Sequence, residues 1–206
     1  MSTEELPVFP LGTVLFPEGP LPLRIFETRY VDMVSRCMKE GSGFVVAAIT
    51  SGDDVDTRGF HDTGTIAHIR DFESLPDGLL GIFATGGQRV RILSSRKQGD
   101  GLNVGTIERL ADEPGCAVAS EHEDLRGLLQ ELLVQLPEYY GSIPRRDDDA
   151  SWLGYRLSEI LPLSLSQKQY FLEMEDPARR LDILKPLLGS LQMIEPTGES
   201  GSGASH

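Results

Sequence analysis

The first half of the chain alternates short apolar runs with turn residues, which is a pattern typical of β-strands. Prolines are concentrated in the first two runs, and proline in a sheet is confined to edges, strand starts and bulges. The Gly86-Gly87 pair is expected to break a strand, in the form of a bulge. The predicted strands are residues 6–16, 21–26, 44–49, 64–69, 79–85, 89–93 and 102–110.

One helix is predicted among these strands. Between Phe26 and Cys37 the apolar residues recur at the 3.6-residue period, and Gly41 is placed to end the helix in the left-handed conformation. Cys37 is therefore expected to belong to the core. The predicted buried face consists of Phe26, Tyr30, Met33, Val34 and Cys37.

The second half of the chain changes to the helical period. A leucine stripe runs from Leu125 to Leu136, and three more apolar stripes follow. Pro186 is expected to kink or fray the last helix. The change of period predicts an α+β protein, in which a closed or nearly closed β unit precedes the helices. The predicted helix caps are Ser120 with Glu123, Asp147–Asp149, Ser164 with Gln167, and Asp176 with Pro177.

Charge and composition narrow the classes of partner. The 206-residue chain has a net charge of −13, which repels phosphate and argues against a nucleic-acid partner. No apolar run approaches the length of a membrane-spanning helix, and the N-terminus lacks the basic and apolar regions of a signal peptide. We therefore expect a cytoplasmic protein with no membrane partner, in which Cys37 and Cys116 are reduced thiols.

The sequence contains no recognisable catalytic motif. The dipeptide Gly-Lys does not occur, so the phosphate-binding loop of an ATPase is absent. Ser166 and Lys168 match no protease motif, and Ser166 is placed at a helix start, where a hydroxyl ordinarily caps. His61, His68 and His122 have no metal-ligand spacing with one another or with cysteine. We expect no catalytic residue, no metal site and no cofactor.

Four segments carry a resemblance to a known family: LPVFPLGTVLFPEGPLPLRIFETRY (6–30), GTIAHI (64–69), DGLLGIFATGGQRVRI (77–92) and LPLSLSQKQYFLEMEDPARRLDIL (161–184). They resemble the N-terminal, substrate-recognition domain of Lon-type ATP-dependent proteases, in its stand-alone bacterial form. The resemblance implies a β-rich, PUA-like pseudo-barrel with one early helix, followed by a C-terminal helical bundle. The implied boundaries are 1–118 for the β-rich subdomain, 119–190 for the helical subdomain and 191–206 for a flexible tail.

The resemblance implies a non-catalytic module that binds unfolded or tagged polypeptides, without the ATPase and Ser-Lys protease domains of a Lon protease. A separate ATP-dependent protease is a candidate partner in protein quality control. Two alternatives stay open: a peptidase with an unrecognised active site, and a PUA-like domain that binds a small ligand or RNA. The candidate polypeptide-binding residues are apolar side chains near the N-terminus: Phe9, Leu11, Phe16, Leu23, Phe26 and Tyr30.

Overall fold

The computed structural model describes residues 3–50, 59–141 and 143–192, which form six strands and a set of helices. The strands are β1 (Thr3–Leu11), β2 (Pro20–Ile25), β3 (Phe44–Ala48), β4 (Thr63–Ser74), β5 (Leu80–Lys97) and β6 (Asn103–Arg109). The helices are α1 (Thr28–Glu40), α2 (Glu123–Val134), α3 (Pro137–Tyr140), α4 (Ala150–Ile160), α5 (Leu165–Glu173) and α6 (Pro177–Gln192).

The strands form one sheet in the order β2-β5-β4-β3-β1-β6, in which β5 also pairs with β6. This additional pairing joins the two ends of the set β5-β4-β3-β1-β6, so these five strands close into a ring. β2 lies outside the ring and pairs with the first part of β5. Among the described pairings, β1 with β3 is parallel and the others are antiparallel.

The prolines of β1 lie where the strand has a partner on one side. Pro7 is paired with β6, and the register with β3 begins one residue later, at Val8. Pro10 is paired with β3, beyond the residue at which the register with β6 ends. Each proline therefore has an open side, which is where a residue without an N–H is tolerated in a sheet.

The prolines of β2 lie on the free edge of the sheet. Gly86 N donates a hydrogen bond of 2.8 Å to Gly19 O, so the pair that precedes β2 is hydrogen-bonded. Because hydrogen-bonded pairs alternate in an antiparallel ladder, Pro20 and Pro22 have their ring nitrogens on the side away from β5. The open edge of β2 therefore lacks two N–H donors that another strand would need for pairing.

The Gly86-Gly87 pair does not break the strand, and in this respect the prediction is wrong. β5 is continuous, and one extra residue of β5 lies opposite the segment 65–67 of β4, so the expected bulge is confirmed. A Cβ at Gly86 would lie 2.0 Å from Phe16 O, and one at Gly87 would lie 2.6 Å from His68 Nε2. Close approach of neighbouring groups therefore explains both glycines.

Helix α1 begins later than the sequence predicts. Its N-cap is Glu27, so Phe26 belongs to the connection after β2 and is 73% exposed, not part of the buried face. At the other end Gly41 adopts a left-handed conformation with φ of 65°, as predicted. The buried face of α1 consists of Tyr30, Met33, Val34 and Cys37.

Three of the predicted helix caps are confirmed. Asp149 accepts a hydrogen bond from Ser151 N at the start of α4, at 2.9 Å. Ser164 and Gln167 form a reciprocal capping box at the start of α5. Asp176 accepts a hydrogen bond of 3.0 Å from Arg179 N at the start of α6.

The predicted capping box at Ser120 is wrong. Residues Ser120–His122 form a 3-10 turn, and α2 begins after it with His122 at the N-cap and no side-chain cap. At the other end of the helical region, α6 contains Pro186 and continues to Gln192. Residues 193–206, which make up most of the predicted tail, lie outside the described residues.

The sheet and the helices share one of the three buried apolar clusters. Val14 and Phe16, from the connection between β1 and β2, and Ala48 of β3 pack with buried side chains of α2, α4, α5 and α6. The rings of Phe16 and Tyr155 lie 5.6 Å apart. The connection after β1 therefore joins the sheet to the helices. No helix in the described part of the chain has the length and hydropathy needed to cross a membrane.

Candidate functional site

A groove of about 420 Å³ lies between β2, the end of β4 and the start of β5. It is formed because the hairpin that joins β4 to β5 continues past the register with β3, so here β5 lies between β4 and β2 in a three-stranded extension of the sheet. A Cβ at Gly81 would lie 3.1 Å from atoms of Leu75 and Glu73, so the glycine keeps the groove open. Its apolar walls are Pro22, Leu23, Phe72, Leu75, Ile82 and Phe83.

Phe72 is the most exposed aromatic residue of this groove, with 57% of its surface accessible. An aromatic side chain left in water forgoes the favourable free energy of burial. Large exposed apolar side chains grouped beside a concave surface are typical of interaction sites. Phe72 also lines a neighbouring cavity of about 340 Å³, which reaches the end of α1 at Met38 and Gly41. The concave surface around Phe72 therefore continues toward α1.

Charged side chains surround the groove. Arg24 of β2 forms an ion pair with Asp77 in the turn between β4 and β5. A hydrogen bond from Leu79 N, with the nearby Arg24 charge, holds the pKa of Asp77 below its ordinary value. Asp71 accepts a hydrogen bond of 2.8 Å from Phe72 N, so this backbone N–H is already occupied. The groove thus combines apolar walls with a polar rim, as protein interaction sites do.

The six residues selected from the sequence are not brought together on one surface. Phe9 and Tyr30 are buried and stacked on each other, with ring centroids 3.8 Å apart. Burial raises the pKa of the Tyr30 hydroxyl. Phe16 is fully buried against the helices. These three side chains belong to the core of the described structure.

The other three selected residues are at least partly accessible. Leu11 and Leu23 are half-buried beside the core cluster that α1 covers. Phe26 is largely exposed, just after β2. Leu23 is the one selected residue that lines the groove.

Sequence reasoning missed the aromatic residues of the groove, Phe72 and Phe83. The strand that contains Phe72 was predicted to end at residue 69, whereas β4 continues to Ser74. A signal was present, because Phe72 lies between Asp71 and Glu73 in an alternating pattern. The alternation did not show which face is open to solvent.

A buried carboxylate, Glu113, joins the sheet to the helices. Its side chain is 3% exposed and accepts hydrogen bonds from Ser151 Oγ and Tyr155 OH of α4 and from Arg180 of α6. Arg89 of β5 lies 3.6 Å away. Burial opposes the ionisation of Glu113, but the charge and hydrogen bonds of Arg180 and the two hydroxyls outweigh it. The pKa of Glu113 is therefore held below its ordinary value.

A second buried carboxylate, Glu159, has fewer partners. Its side chain is 14% exposed, accepts from Tyr140 OH at 2.9 Å and lies 3.4 Å from Arg156 Nη1. Burial raises the pKa of Glu159, and the attraction of Arg156 opposes this shift only in part. Lys168 Nζ donates to the backbone oxygen of Glu159 at 2.7 Å. The predicted absence of a Ser-Lys dyad stays a prediction, but this contact gives Lys168 a structural role.

One group of side chains has the composition of a metal site. Glu121, His122 and Asp182 place three potential ligand atoms within 4.8 Å of one another. The sequence did not suggest it because Asp182 is sixty residues from the histidine. His122 is buried, and its Nε2 lies 2.9 Å from Asp182 Oδ1, which is an ordinary hydrogen-bond distance. We therefore assign this group to the contact between α2 and α6, not to a metal.

The chain was compared with families of known proteins. Residues 5–189 match the model of the ATP-dependent protease La (LON) substrate-binding domain. The chain belongs to this family. The resemblance stated from the sequence is therefore confirmed.

Curated relatives include Lon protease 2 of Herpetosiphon aurantiacus, 29% identical over 89% of this chain, and Lon protease of Escherichia coli, 27% identical over 90%. The chain spans about a quarter of the length of these two proteins. A LON peptidase N-terminal domain and RING finger protein of Schizosaccharomyces pombe is 27% identical over 91% of this chain and 45% of its own length.

Solved structures agree with this assignment. A Lon N-terminal domain protein from Xanthomonas campestris is 35% identical and superposes with a TM-score of 0.74, over 89% of this chain and 98% of that one. The N-terminal domain of a Mycobacterium avium complex Lon protease has a TM-score of 0.62 at 18% identity, which supports the fold alone. The chain is a mixed α+β member of the LON substrate-binding domain family, and that family match is to a non-catalytic domain.

Proposed function

We propose that this protein is a non-catalytic module that binds unfolded or tagged polypeptides in the groove beside Phe72. The carrying observation is the exposed Phe72 side chain at a concave apolar surface, in a chain of the substrate-binding family. An extended segment would place an apolar side chain against Phe72 while its polar groups meet the charged rim.

The groove favours recognition through side chains over pairing of backbones. The open edge of β2 lacks N–H donors at Pro20 and Pro22, so an added strand would find few partners there. On β4 the N–H of Phe72 is occupied by Asp71. A binding mode based on side chains is compatible with clients of unrelated sequence, because it requires an apolar residue and no fixed register.

Several finer expectations from the resemblance belong to the same proposal. We propose a PUA-like pseudo-barrel for residues 1–118 and a helical bundle for 119–190. We further propose a cytoplasmic location, no nucleic-acid partner and cooperation with a separate ATP-dependent protease. The net charge of −13 supports the exclusion of nucleic acid, because it repels phosphate.

The test is fluorescence anisotropy of a labelled, permanently unfolded polypeptide titrated with the protein at two salt concentrations. We expect saturable binding that changes little with salt, since apolar contacts are not screened. Phe72→Ala should weaken binding about tenfold, the effect of removing an aromatic anchor. Tyr170→Ala is the matched control, because Tyr170 is also an exposed aromatic residue, 50% accessible, but lies on α5 outside the groove.

Two outcomes would overturn the proposal. Equal weakening by Phe72→Ala and Tyr170→Ala would mean that the groove is not the binding surface. Cleavage of the polypeptide, followed on a gel, would favour the peptidase alternative instead.

A third variant, Phe26→Ala, tests whether the binding surface continues past the end of β2, where Phe26 is largely exposed.

A further inference from the structure

The last part of β4 has an outer edge with no strand beside it in the described part of the chain. The register between β4 and β3 ends at Ala67, whereas β4 continues to Ser74. β3 begins at Phe44, and the chain before it leads back to α1. Residues 70–74 of β4 are exposed. An uncovered strand edge of this kind can pair with another extended chain.

The backbone groups of Phe72 and Ser74 are directed to this open edge. In the hairpin that joins β4 to β5, Leu75 N donates a hydrogen bond of 2.9 Å to Leu79 O. Hydrogen-bonded pairs alternate along an antiparallel ladder, and the register is unbroken over this stretch. Ser74 and Phe72, one and three residues before Leu75, therefore exchange no hydrogen bonds with β5. Their N–H and C=O groups point the other way.

Asp71 occupies the first of these two donors. Phe72 N donates a hydrogen bond of 2.8 Å to Asp71 Oδ1, in the side chain of the preceding residue. This contact agrees with the ladder, because an N–H directed at β5 could not make it. A local hydrogen bond from side chain to backbone competes with pairing between strands. An incoming strand would have to displace the carboxylate before it could share the Phe72 N–H.

Space for a strand is present beside the occupied donor. The cavity of about 340 Å³ on this side is lined by β4 from His68 to Phe72, by the end of α1 and by Gly41 and Ser42 after it. No residue of β5 lines it. The cavity lies before the start of β3, where a strand paired with this part of β4 would run. Packing therefore does not close the edge at Phe72.

The two outer edges of the three-stranded extension are protected by different means. On β2 the protection is covalent, because Pro20 and Pro22 have no N–H. On β4 the register with β5 skips Arg70, so a bulge precedes the contact between Asp71 and the Phe72 N–H. Bulges and edge charges are both means of discouraging pairing. The protection of β4 thus includes one side chain that a single substitution removes.

We propose that Asp71 determines how this protein binds polypeptide: it blocks strand addition at the edge of β4, so that clients are held through their side chains. Because it concerns the mode of binding beside Phe72, this inference rests on the proposed function. Without the carboxylate, the Phe72 N–H is free, and an extended client would pair its backbone with β4 next to the Phe72 side chain.

The test compares an apolar peptide with the same peptide N-methylated at two consecutive central residues. Consecutive N–H groups of an extended chain point to opposite edges, so the methyl groups block both edges and leave the side chains unchanged. Both peptides are labelled and titrated with the full chain in fluorescence anisotropy. We expect the unaltered protein to bind them with similar affinity. The variant Asp71→Ala should bind the unmethylated peptide about fivefold more tightly, as one recovered backbone hydrogen bond would give, with no gain for the methylated one.

Two control variants separate the block from the charge. Asp71→Asn removes the charge, but its side-chain oxygen can still accept from Phe72 N, so the two peptides should again bind alike. Asp100→Ala removes an exposed carboxylate of the same kind, which accepts from Leu102 N at 2.9 Å in the turn between β5 and β6. It lies outside the groove and should also leave the two affinities alike.

A second measurement needs no ligand. The exchange of the Phe72 amide hydrogen with solvent, followed by NMR, should be severalfold faster in Asp71→Ala than in Asp71→Asn, because only the second variant keeps an acceptor. Equal exchange rates would mean that the hydrogen bond does not hold in solution, and this would overturn the role of Asp71 whatever the peptides do.

The binding results separate the inference from the proposed function. If Asp71→Ala gains nothing, or gains equally for both peptides, Asp71 does not block pairing, although binding by the unaltered protein still supports the proposed function. A preference of the unaltered protein for the unmethylated peptide has the same meaning, because the edge would already pair. If the unaltered protein binds neither peptide, the proposed function fails and the inference fails with it.

Discussion

Glu113, which packs against α4, and Glu159, which belongs to α4, are both largely buried carboxylates, but their environments shift the pKa in opposite directions. Glu113 receives hydrogen bonds from two hydroxyls and a guanidinium, with Arg89 nearby, and its pKa is lowered. Glu159 receives one from Tyr140 and has Arg156 at 3.4 Å, and its pKa is raised. The difference teaches that burial by itself does not decide the charge of a carboxylate; the number of donors that converge on it does.

The two carboxylates also differ in what they connect. The partners of Glu113 come from β5, α4 and α6. Two of them also bind the backbone before α6: Arg89 donates a hydrogen bond of 2.8 Å to Leu172 O, and Arg180 donates one of 2.6 Å to Met174 O. Glu159 is reached by Arg156 from one turn earlier on the same helix. We therefore expect Glu113 to contribute more to holding the sheet and helices together.

The largest expected effect is that of Glu113→Gln. This change leaves Arg89 and Arg180 buried without a negative partner, which should lower the free energy of unfolding by about 3–5 kcal/mol. The measurement is urea unfolding at neutral pH. Asp112→Asn is the control, because it removes the same charge from the exposed neighbouring residue and should cost less than about 0.5 kcal/mol. Similar losses for both variants would contradict the importance of Glu113.

A smaller effect separates two tyrosines that donate to the two carboxylates. Tyr140→Phe removes the hydroxyl that donates to Glu159 and should cost about 1–3 kcal/mol, as for a buried group that loses its partner. Tyr155→Phe leaves Glu113 with Ser151 and Arg180, so about 0.5–1.5 kcal/mol is expected. Thermal or urea unfolding of both variants gives the comparison. A larger loss for Tyr155→Phe would reverse the proposed order.

The smallest expected effect is on the pH dependence of stability, to which Glu159 and Glu113 contribute with opposite sign. The pKa of Glu159 is raised above 4.5, so its contribution to stability is present below that value and is lost as the pH rises through the folded-state pKa. The pKa of Glu113 is lowered, so its contribution is present above 4.5 and is lost as the pH falls through its folded-state pKa.

The variant Glu159→Gln isolates the pH-dependent contribution of Glu159 to stability. The variant should gain stability relative to the unaltered protein as the pH rises from 4.5 to neutrality, in urea unfolding at a series of pH values. The Tyr140 hydroxyl can still donate to the Gln side-chain oxygen, so its hydrogen bond is retained. A stability difference that does not change with pH would show that Glu159 is not perturbed in the folded state.

The sequence by itself determined the local structure of much of this protein. The helical face of Tyr30, Met33, Val34 and Cys37, the left-handed Gly41 and the capping box of Ser164 with Gln167 were all predicted from residues close together in the chain. Such features can be predicted because each depends on a backbone period or on a cap three residues away. The family, too, could be identified from four contiguous segments.

The tertiary structure decided which apolar residues face a partner and which charges meet. Phe9, Phe16 and Phe72 are all apolar in the sequence, yet the first two are buried and the third is 57% exposed. Glu113 and Arg180 meet across 67 residues. A strand period specifies that a side chain points to one face, but only the closure of the ring and the packing of the helices determine whether that face is covered.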